Sequence, residues 1–229
     1  MFVGKISAGG RNVYGNIVNL RSGGGLKKKT AIIDYTRRWS KKIALCLNIT
    51  KDKTRSCFLS LLKYSNGTFS YILAAAKMRP GHYVYTTIIP PRFSMPYNPG
   101  SNTILRYLNY KSIFFNVEVN YPFGGKYARS GGTYCKIISL NFDKDIAKIV
   151  LPTGTIKVLS MYNLVTVGRA SNYQNFSQFF TKAGYSRNLG YRPIVRGVAM
   201  NPVDSLHGGR TKTNSPEYTP WGKIAKHGK

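Results

Sequence analysis

Residues 58–73 have the sequence Phe58-Leu59-Ser60-Leu61-Leu62-Lys63-Tyr64-Ser65-Asn66-Gly67-Thr68-Phe69-Ser70-Tyr71-Ile72-Leu73, two apolar runs separated by a short turn. Residues 58–64 and 68–73 are rich in aromatic and branched side chains, which favour extended strands. Between them, Ser65-Asn66-Gly67 favours a tight turn, because asparagine and glycine tolerate positive φ angles. The stretch therefore predicts a β-hairpin at the centre of an all-β fold.

Further apolar runs of strand length lie on both sides of this hairpin and alternate with turn residues. They occupy residues 31–35, 42–48, 83–88 and 112–119. With the hairpin they give five or six strands, a number and spacing typical of a small antiparallel barrel. An oligonucleotide-binding-type barrel over residues 31–119 is the natural candidate, although the strand count equally allows a sandwich.

A second group of strand-like runs follows the glycine-rich residues 124–132. The runs cover residues 133–140, 146–151 and 155–159, and the turn sequence Pro152-Thr153-Gly154 joins the last two. They predict a second small barrel within residues 120–184.

Aromatic residues at helical spacing come after these strands and predict a short helix that ends at Gly184. We expect its aromatic face to pack against the barrel, and a base-stacking platform is the alternative. The aromatic residues, which we do not count as a binding site, are Tyr173, Phe176, Phe179 and Phe180.

Both ends of the chain are basic, rich in glycine and without strand or helix periodicity. Residues 1–30 end in Arg21-Ser22-Gly23-Gly24-Gly25-Leu26-Lys27-Lys28-Lys29-Thr30, which lacks the spacing of a phosphate-binding P-loop. Residues 185–229 contain several glycines and prolines that interrupt any regular element. We predict a basic N-terminal arm and a basic C-terminal extension that become ordered on a partner, and a flexible linker is the alternative for the arm.

The charge indicates the class of partner. The chain has 35 Lys and Arg residues against 7 Asp and Glu residues, a formal net charge of +28 at pH 7. A polyanion relieves self-repulsion of this size. The basic residues occur in every segment rather than in one amphipathic helix or one polybasic block, and this distribution favours nucleic acid over an anionic membrane.

Two other classes of protein fit the sequence poorly. No run approaches the roughly 18 apolar residues of a membrane span, and no signal peptide is evident near the first residue. Cys46, Cys57 and Cys135 lie in apolar runs without CxxC spacing. They predict buried reduced thiols rather than disulfides or zinc ligands.

An enzymatic function is not expected. Asp204, His207 and Glu217 lie close together and could be imagined as a hydrolytic or metal site, but seven acids in the whole chain provide no convincing paired carboxylates elsewhere. The alternative from another class is a free oligonucleotide-binding-type RNA-binding protein or RNA chaperone, not stably bound to a larger particle.

The C-terminal segment contains the most specific pattern in the chain. Residues 192–204 have the sequence Arg-Pro-Ile-Val-Arg-Gly-Val-Ala-Met-Asn-Pro-Val-Asp, followed by His207-Gly208-Gly209 and later by Thr219-Pro220-Trp221-Gly222. Together with earlier blocks that occur in the same order as in that family, these motifs resemble the family of the second protein of the large ribosomal subunit over residues 9–223. The earlier blocks are Gly10-Arg11-Asn12, Gly23-Gly24-Gly25, Ile33-Asp34-Tyr35, Tyr71-Ile72-Leu73-Ala74, Asn116-Val117-Glu118, Gly124-Gly125, Ala128-Arg129-Ser130 and Gly132-Thr133-Tyr134.

This resemblance implies an oligonucleotide-binding-type barrel followed by an SH3-like barrel, with basic extensions that penetrate large-subunit rRNA. It implies a structural role near the peptidyl-transferase region and support of subunit association and tRNA binding. The implied partners are the rRNA, neighbouring large-subunit proteins and, through an inter-subunit bridge, the small subunit, without a membrane. No cofactor is expected, apart from Mg²⁺ carried by bound rRNA.

One departure from the family pattern concerns its best-known histidine. Where the family usually has Asp-His-Pro-His-Gly-Gly-Gly, this chain has Asp204-Ser205-Leu206-His207-Gly208-Gly209-Arg210. Ser205 thus replaces the first histidine, and with it the candidate for any part in peptide-bond chemistry. His207 is predicted to contact RNA by hydrogen bonding or stacking.

The candidate RNA-binding residues are mostly cations, which we expect to contact phosphates. Asn201 can present a donor and an acceptor to a base edge or a 2′-hydroxyl. Trp221 can stack on an unpaired base, and packing against its own barrel is the alternative. The full set is Arg11, Lys27, Lys28, Lys29, Arg37, Arg38, Arg129, Arg187, Arg192, Arg196, Asn201, His207, Arg210, Trp221 and Lys223.

Composition also bears on the cellular compartment. Ile, Asn, Lys, Tyr and Phe are used heavily, as expected when codons are rich in A and T, which is common in organellar genomes. We predict a mitochondrial location, in the matrix on the mitochondrial ribosome, with plastid and bacterial cytoplasm as alternatives.

Overall fold

The fold is given by a computed structural model, and β-strands account for most of its regular structure, as predicted. Two units are distinguished: unit 1 comprises residues 1–5 and 28–179, and unit 2 comprises residues 6–27 and 180–229. The structure describes residues 2–37, 43–86, 98–177, 181–209, 216, 218–219 and 221–224.

Fourteen strands lie in the described part of the chain, all of them in unit 1. They form a four-stranded sheet in the order β5-β4-β3-β6, a six-stranded sheet in the order β13-β12-β11-β8-β14-β7, and the pairs β1-β2 and β10-β9. The strands are β1 (Phe2–Lys5), β2 (Lys28–Ala31), β3 (Ala44–Lys51), β4 (Phe58–Tyr64), β5 (Phe69–Leu73), β6 (Tyr83–Val84), β7 (Asn102–Ile104), β8 (Ile113–Phe115), β9 (Val117–Glu118), β10 (Gly125–Tyr127), β11 (Cys135–Asn141), β12 (Ile146–Val150), β13 (Ile156–Ser160) and β14 (Leu164–Val167).

The predicted hairpin is confirmed as β4 and β5, which pair from Leu59 opposite Leu73 to Lys63 opposite Phe69. At the turn, the Tyr64 N–H donates to the Thr68 carbonyl oxygen at 2.9 Å. Gly67 has a φ of +80° there, a conformation that glycine adopts without steric cost. The local turn sequence was therefore sufficient to predict this element.

The boundary between the two barrels differs from the predicted one at residue 119. Strands β7 and β8, which fall inside the predicted first barrel, both pair with β14 of the six-stranded sheet. Strand β8 also pairs with β11, where Phe114 is opposite Cys135. An apolar run predicts a strand but not its partner, because strand pairing depends on residues far away in the sequence.

Strand β8 links the two hydrophobic cores of unit 1. Phe114 and Phe115 are both fully buried and point to opposite faces of the strand, as neighbouring strand residues do. Phe115 packs in the first core with Leu59 and Leu62, whereas Phe114 packs in the second core with Ile149. Strand β8 pairs only within the six-stranded sheet, but its side chains pack in both cores and so join the two barrels within unit 1.

The cysteines are buried and unpaired, as predicted. Cys46 and Cys57 lie in the first core, and Cys135 lies in the second. Burial raises the pKa of the Cys57 thiol, and it raises the pKa of Cys135 to about 12. The thiols of Cys57 and Cys135 are therefore protonated at neutral pH, and all three cysteines take part in packing.

The predicted helix with its end at Gly184 is wrong. Residues Tyr173–Ser177 form a short 3₁₀ helix, and a separate helix, α1, spans Ala183–Leu189. The helix α1 ends at Gly190, whose φ of +101° lets its N–H bond back to the last turn. Phe179 and Phe180 lie outside the described residues.

In unit 2, the N-terminal arm and the C-terminal extension pair with each other. The Gly23 N–H donates to the Gly190 carbonyl oxygen at 2.7 Å, and the Leu26 N–H donates to the Asn188 carbonyl oxygen at 3.0 Å. Gly25 has a φ of +62°, and a Cβ there would lie 2.9 Å from the Asn188 carbonyl oxygen. The glycines of the arm therefore allow its backbone to approach the extension closely.

Candidate nucleic-acid interface

Acidic side chains are used mainly inside unit 1. Asp34 and Asp52 each accept backbone N–H groups of their own turns. Glu118 is 1% exposed and accepts the N–H of Gly124 at 2.6 Å and that of Leu164 at 3.1 Å. The described residues contain two ion pairs, Arg55 with Asp52 and Arg106 with Asp145. Few carboxylates are left to offset the large positive charge at the surface, which suits a polyanion.

The strands β1 and β2 bring lysines together. Lys5 lies directly opposite Lys28 in the antiparallel ladder, and Lys29 lies opposite Gly4. Like charges directly opposite each other destabilise a strand pair. A phosphate bound beside Lys5 and Lys28 would relieve that repulsion. The predicted cations Lys27 and Lys29 are exposed, but they are not part of this opposed pair.

Replacing Lys27, Lys28 and Lys29 together by glutamine should weaken RNA binding mainly at low salt. Each lost phosphate contact lowers the slope of log K against log salt by about 0.7 to 0.9. The measurement is a salt titration of the affinity of the full chain for large-subunit rRNA. Lys157→Gln, on the exposed strand β13, is the control. An unchanged slope in the triple variant would show that these lysines are merely hydrated.

The prediction that Arg37 contacts a phosphate is corrected by the structure. Its side chain is 1% exposed, and its Nη1 donates to the Gly100 carbonyl oxygen at 2.6 Å. Burial lowers the pKa of this guanidinium, while Tyr64 and Asp34 act in the opposite direction. Arg37 therefore stabilises the fold from inside. The neighbouring Arg38 lies outside the described residues, as does Arg210.

A cluster of cations around Tyr35 was found only in part from the sequence. The guanidinium of Arg129, a predicted site residue, lies 4.9 Å from the Tyr35 ring centroid. Arg55, which was not predicted, lies 5.8 Å from the same ring. The sequence signal was weak, because Arg55 lies in a turn that is distant from Arg129 along the chain.

A second basic and aromatic cluster was missed, and we call it the Arg169 cluster: Tyr134, Lys136, Arg169 and Tyr173. The Arg169 guanidinium lies 5.3 Å from the Tyr134 ring centroid and 5.7 Å from that of Tyr173. Lys136 lies 5.7 Å from the Tyr134 ring. Tyr173 is 57% exposed, so its predicted packing role is wrong. Basic residues interleaved with exposed aromatics are typical of single-stranded nucleic-acid surfaces.

The predicted arginines of unit 2 that the structure describes are exposed. Sequence reasoning missed Arg21, whose guanidinium lies 5.6 Å from the Tyr191 ring. The Arg192 N–H donates to the Arg21 carbonyl oxygen at 2.8 Å, so backbone pairing places these two arginines side by side. The exposed arginines that the sequence predicted here are Arg11, Arg187, Arg192 and Arg196.

Residues 196–209 form a tight loop that presents Asn201. The Asn201 carbonyl oxygen accepts the N–H of Asp204 at 3.0 Å, and the Gly209 N–H donates to the Met200 carbonyl oxygen at 2.9 Å. Gly208 lies against the Asn201 backbone so closely that a Cβ there would overlap it. The Asn201 side chain is exposed and can reach a base edge, as its predicted role requires.

His207 has an internal partner that the sequence did not predict. Its Nε2 accepts the Tyr218 N–H at 2.8 Å, and the two rings stack with centroids 6.4 Å apart. An imidazole that accepts at Nε2 and is neutral carries its proton on Nδ1. The predicted hydrogen bond from His207 to RNA would therefore use Nδ1.

Trp221 and Lys223, the last predicted site residues, lie in a turn. The Gly222 N–H donates to the Thr219 carbonyl oxygen at 3.0 Å. The Trp221 side chain is 56% exposed and the Lys223 side chain is exposed as well. An exposed indole beside a lysine is suited to stacking on an unpaired base.

The imagined hydrolytic or metal site is not assembled among the residues that the structure describes. Asp204 is exposed, His207 is bonded to Tyr218, and Glu217 lies outside the described residues. Over the described ranges, no group of His, Cys, Asp and Glu side chains is arranged to hold a metal ion. Within the same ranges, no helix has the length and apolar character needed to cross a membrane.

The sequence matches two domain profiles of one protein family. Residues 1–86 match the RNA binding N-terminal domain of Ribosomal Proteins L2, and residues 98–222 match the C-terminal domain of Ribosomal Proteins L2. These matches divide the chain between residues 86 and 98, ahead of β7. The division agrees with the sheet pairing described above.

The relatives of this chain include three proteins named "Large ribosomal subunit protein uL2". The protein of Gluconacetobacter diazotrophicus is 37% identical over 226 residues, which cover 97% of this chain and 79% of the relative. That of Granulibacter bethesdensis is 38% identical over 226 residues, with the same coverage. That of Cereibacter sphaeroides is 37% identical over 229 residues, covering 97% of this chain and 78% of the relative.

Proposed function

The chain belongs to the ribosomal protein L2 family, and we propose that it binds large-subunit rRNA as a structural constituent of the large ribosomal subunit. The family resemblance predicted from the sequence motifs is confirmed by both domain profiles. The predicted order of an oligonucleotide-binding-type barrel and an SH3-like barrel is confirmed too. The chain is a structural protein and not an enzyme.

The observation that carries the rRNA-binding role is the separation of charges. The carboxylates of Asp34, Asp52 and Glu118 accept the N–H groups of turns and buried backbone, while the described cations other than Arg37 are exposed or partly exposed. With a net charge of +28, the free chain repels itself, and phosphates bound along both units would neutralise it. The large-subunit rRNA is a polyanion of the required size.

Sedimentation tests this function against the alternative of a free RNA chaperone. In a magnesium-containing gradient, the chain should migrate with the large subunit and leave it only at high salt, because its contacts are mainly to phosphates. The measurement is an immunoblot across the gradient fractions at low and high salt. A chain that stays at the top of the low-salt gradient would contradict the proposal.

We further propose that unit 2 acts near the peptidyl-transferase region and supports subunit association, tRNA binding and a bridge to the small subunit. The loop at residues 196–209, in which the side chains of Arg196 and Asn201 are both exposed, supports this proposal. Ser205 stands where the family usually has histidine, so the role proposed for the loop is architectural. Neighbouring large-subunit proteins are the other partners proposed.

The finer location that we propose is the mitochondrial matrix, on the mitochondrial ribosome. The supporting observation is the heavy use of residues with A- and T-rich codons, including 17 Tyr and 11 Phe. Running the sedimentation experiment on ribosomes from isolated mitochondria and from whole cells separates the compartments. If the chain is recovered only on ribosomes from outside the mitochondria, this location is contradicted.

A further inference from the structure

A cleft of about 600 Å³ lies between the two barrels of unit 1, next to the Arg169 cluster. Its floor is apolar and includes Ala74, Ala75 and Met78, and its rim includes Lys77, Arg169 and Tyr173. Clefts of roughly 300 to 1,000 Å³ with apolar walls and a few polar groups are typical of small-ligand sites. The volume is more than a single nucleobase needs.

The walls of the cleft are held by hydrogen bonds between the barrels. The Ala76 N–H donates to the Arg169 carbonyl oxygen at 2.7 Å, and the Ser171 N–H donates to the Ala74 carbonyl oxygen at 3.0 Å. The Ser171 Oγ accepts the Phe58 N–H at 3.1 Å. Because both barrels contribute to this network, the cleft is formed before a ligand arrives.

The charges and backbone of the rim favour an anion. Lys77 and Arg169 line the cleft, and none of the described lining residues is acidic. Lys77 has a φ of +68°, which is uncommon for a residue other than glycine. Such strained positions cluster at ligand sites, where the surrounding structure holds them in place. Here the turn presents a lysine at the mouth of the cleft.

From this geometry we infer that the cleft binds one unpaired nucleotide of RNA. The base lies between the apolar floor and the exposed ring of Tyr173, and its phosphate is neutralised at Lys77 and Arg169. Aromatic rings stack on any base, so the site recognises an unstacked nucleotide rather than a sequence. The inference rests on the proposed rRNA-binding function and identifies a single-stranded element of the RNA as the ligand.

The occupant is RNA rather than an apolar protein segment because of the rim. Arg169 Nε donates to the Gly132 carbonyl oxygen at 2.7 Å, but an apolar segment would bury the charges of Lys77 and Arg169 without supplying an anion, and burying a charge without a counter-ion is costly. A nucleotide provides an aromatic surface for the floor and for Tyr173, together with a phosphate for the two cations.

Photo-crosslinking of the full chain to a short oligouridylate containing 5-iodouridine tests this site. We expect a crosslink in the peptide that contains Tyr173. In Tyr173→Ala, occupancy of the cleft at limiting RNA should fall by about 5- to 150-fold, the range for loss of one base-stacking ring. Tyr173→Phe should retain the crosslink, because the phenyl ring still stacks.

The second variant removes charge without strain. Lys77→Gly deletes the cation at a position whose positive φ glycine adopts readily, so the fold is kept. The slope of log K against log salt, with binding measured by crosslinking at Tyr173, should fall by about 0.7. This is the value for one phosphate contact to a single strand. Tyr110→Ala and Lys111→Gln, at an exposed turn, are the matched controls and should behave like the unmodified chain.

Each result supports or overturns the inference. Crosslinks of the unmodified chain that occur only outside the cleft overturn the inference and leave the proposed function intact, as does equal crosslinking of an RNA duplex. Unchanged crosslinking at the cleft in both Tyr173→Ala and Lys77→Gly overturns it as well. Failure of the unmodified chain to bind any RNA overturns the proposed function and, with it, this inference.

Discussion

Glu118→Ala should lower the free energy of unfolding of unit 1 by about 3 to 5 kcal/mol. Glu118 is buried, and its two carboxylate oxygens accept the N–H groups of Gly124 and Leu164. Alanine would leave both donors buried and unpaired. Small domains are stable by about 5 to 15 kcal/mol in all, so this single change removes a large share of the stability.

Urea unfolding of the full chain, monitored by the far-ultraviolet circular dichroism of its β-strands, measures this loss. Glu118→Gln should cost less, because one side-chain oxygen remains to accept an N–H group. Asp143→Asn is the matched control, since Asp143 is exposed and its loss should change the stability by less than about 0.5 kcal/mol. A Glu118→Ala midpoint equal to that of the control would contradict the structural role of this carboxylate.

Arg37→Ala should lower the stability without changing the salt dependence of RNA binding, and Lys29→Ala should do the reverse. The comparison distinguishes a buried cation from a surface cation. Arg37→Ala removes the guanidinium bonded to Gly100 and leaves a cavity. The loss in the free energy of unfolding should be about 2 to 5 kcal/mol. Among chains that remain folded, the salt dependence of RNA binding should not change, because Arg37 contacts no phosphate.

For Lys29→Ala, the expected results are reversed. Lys29 is exposed on β2, so the stability should change by less than about 0.5 kcal/mol. The slope of log K against log salt should fall by about 0.7 to 0.9. Urea unfolding and a salt titration of RNA binding, made on both variants, give the comparison. If folded Arg37→Ala shows a lower slope of log K against log salt, the prediction that Arg37 contacts a phosphate is supported after all.

The strands were predictable wherever their signal was local. The β4–β5 hairpin follows from apolar runs around an Asn-Gly turn, and three strands of the second sheet, β11 to β13, fall within one residue or two of the predicted runs. Four short strands, β1, β7, β10 and β14, were missed, and β2 overlaps the predicted run at residues 31–35 only at Ala31. Each has at most four residues, too few for a periodic pattern to stand out from the surrounding sequence.

The candidate interface was predictable in its chemistry and less so in its arrangement. Exposed cations such as Arg129 and Arg192 lie where a basic sequence suggests. The Arg169 cluster could not be predicted, because its tyrosines, Tyr134 and Tyr173, come from segments separated by the four strands β11 to β14. The partner of His207 was likewise hidden, since it is a backbone N–H group rather than a recognisable side chain.

The sequence by itself determined the all-β class, the nucleic-acid partner and the family, because strand propensity, net charge and short motifs are properties of local composition and order. Only the tertiary structure decided which cations face outward, which sheet contains β7 and β8, and that the two basic ends pair with each other. Burial and strand pairing depend on contacts between residues far apart in the chain. Arg37 and Arg129 look alike in the sequence, and the fold places one inside and the other at the surface.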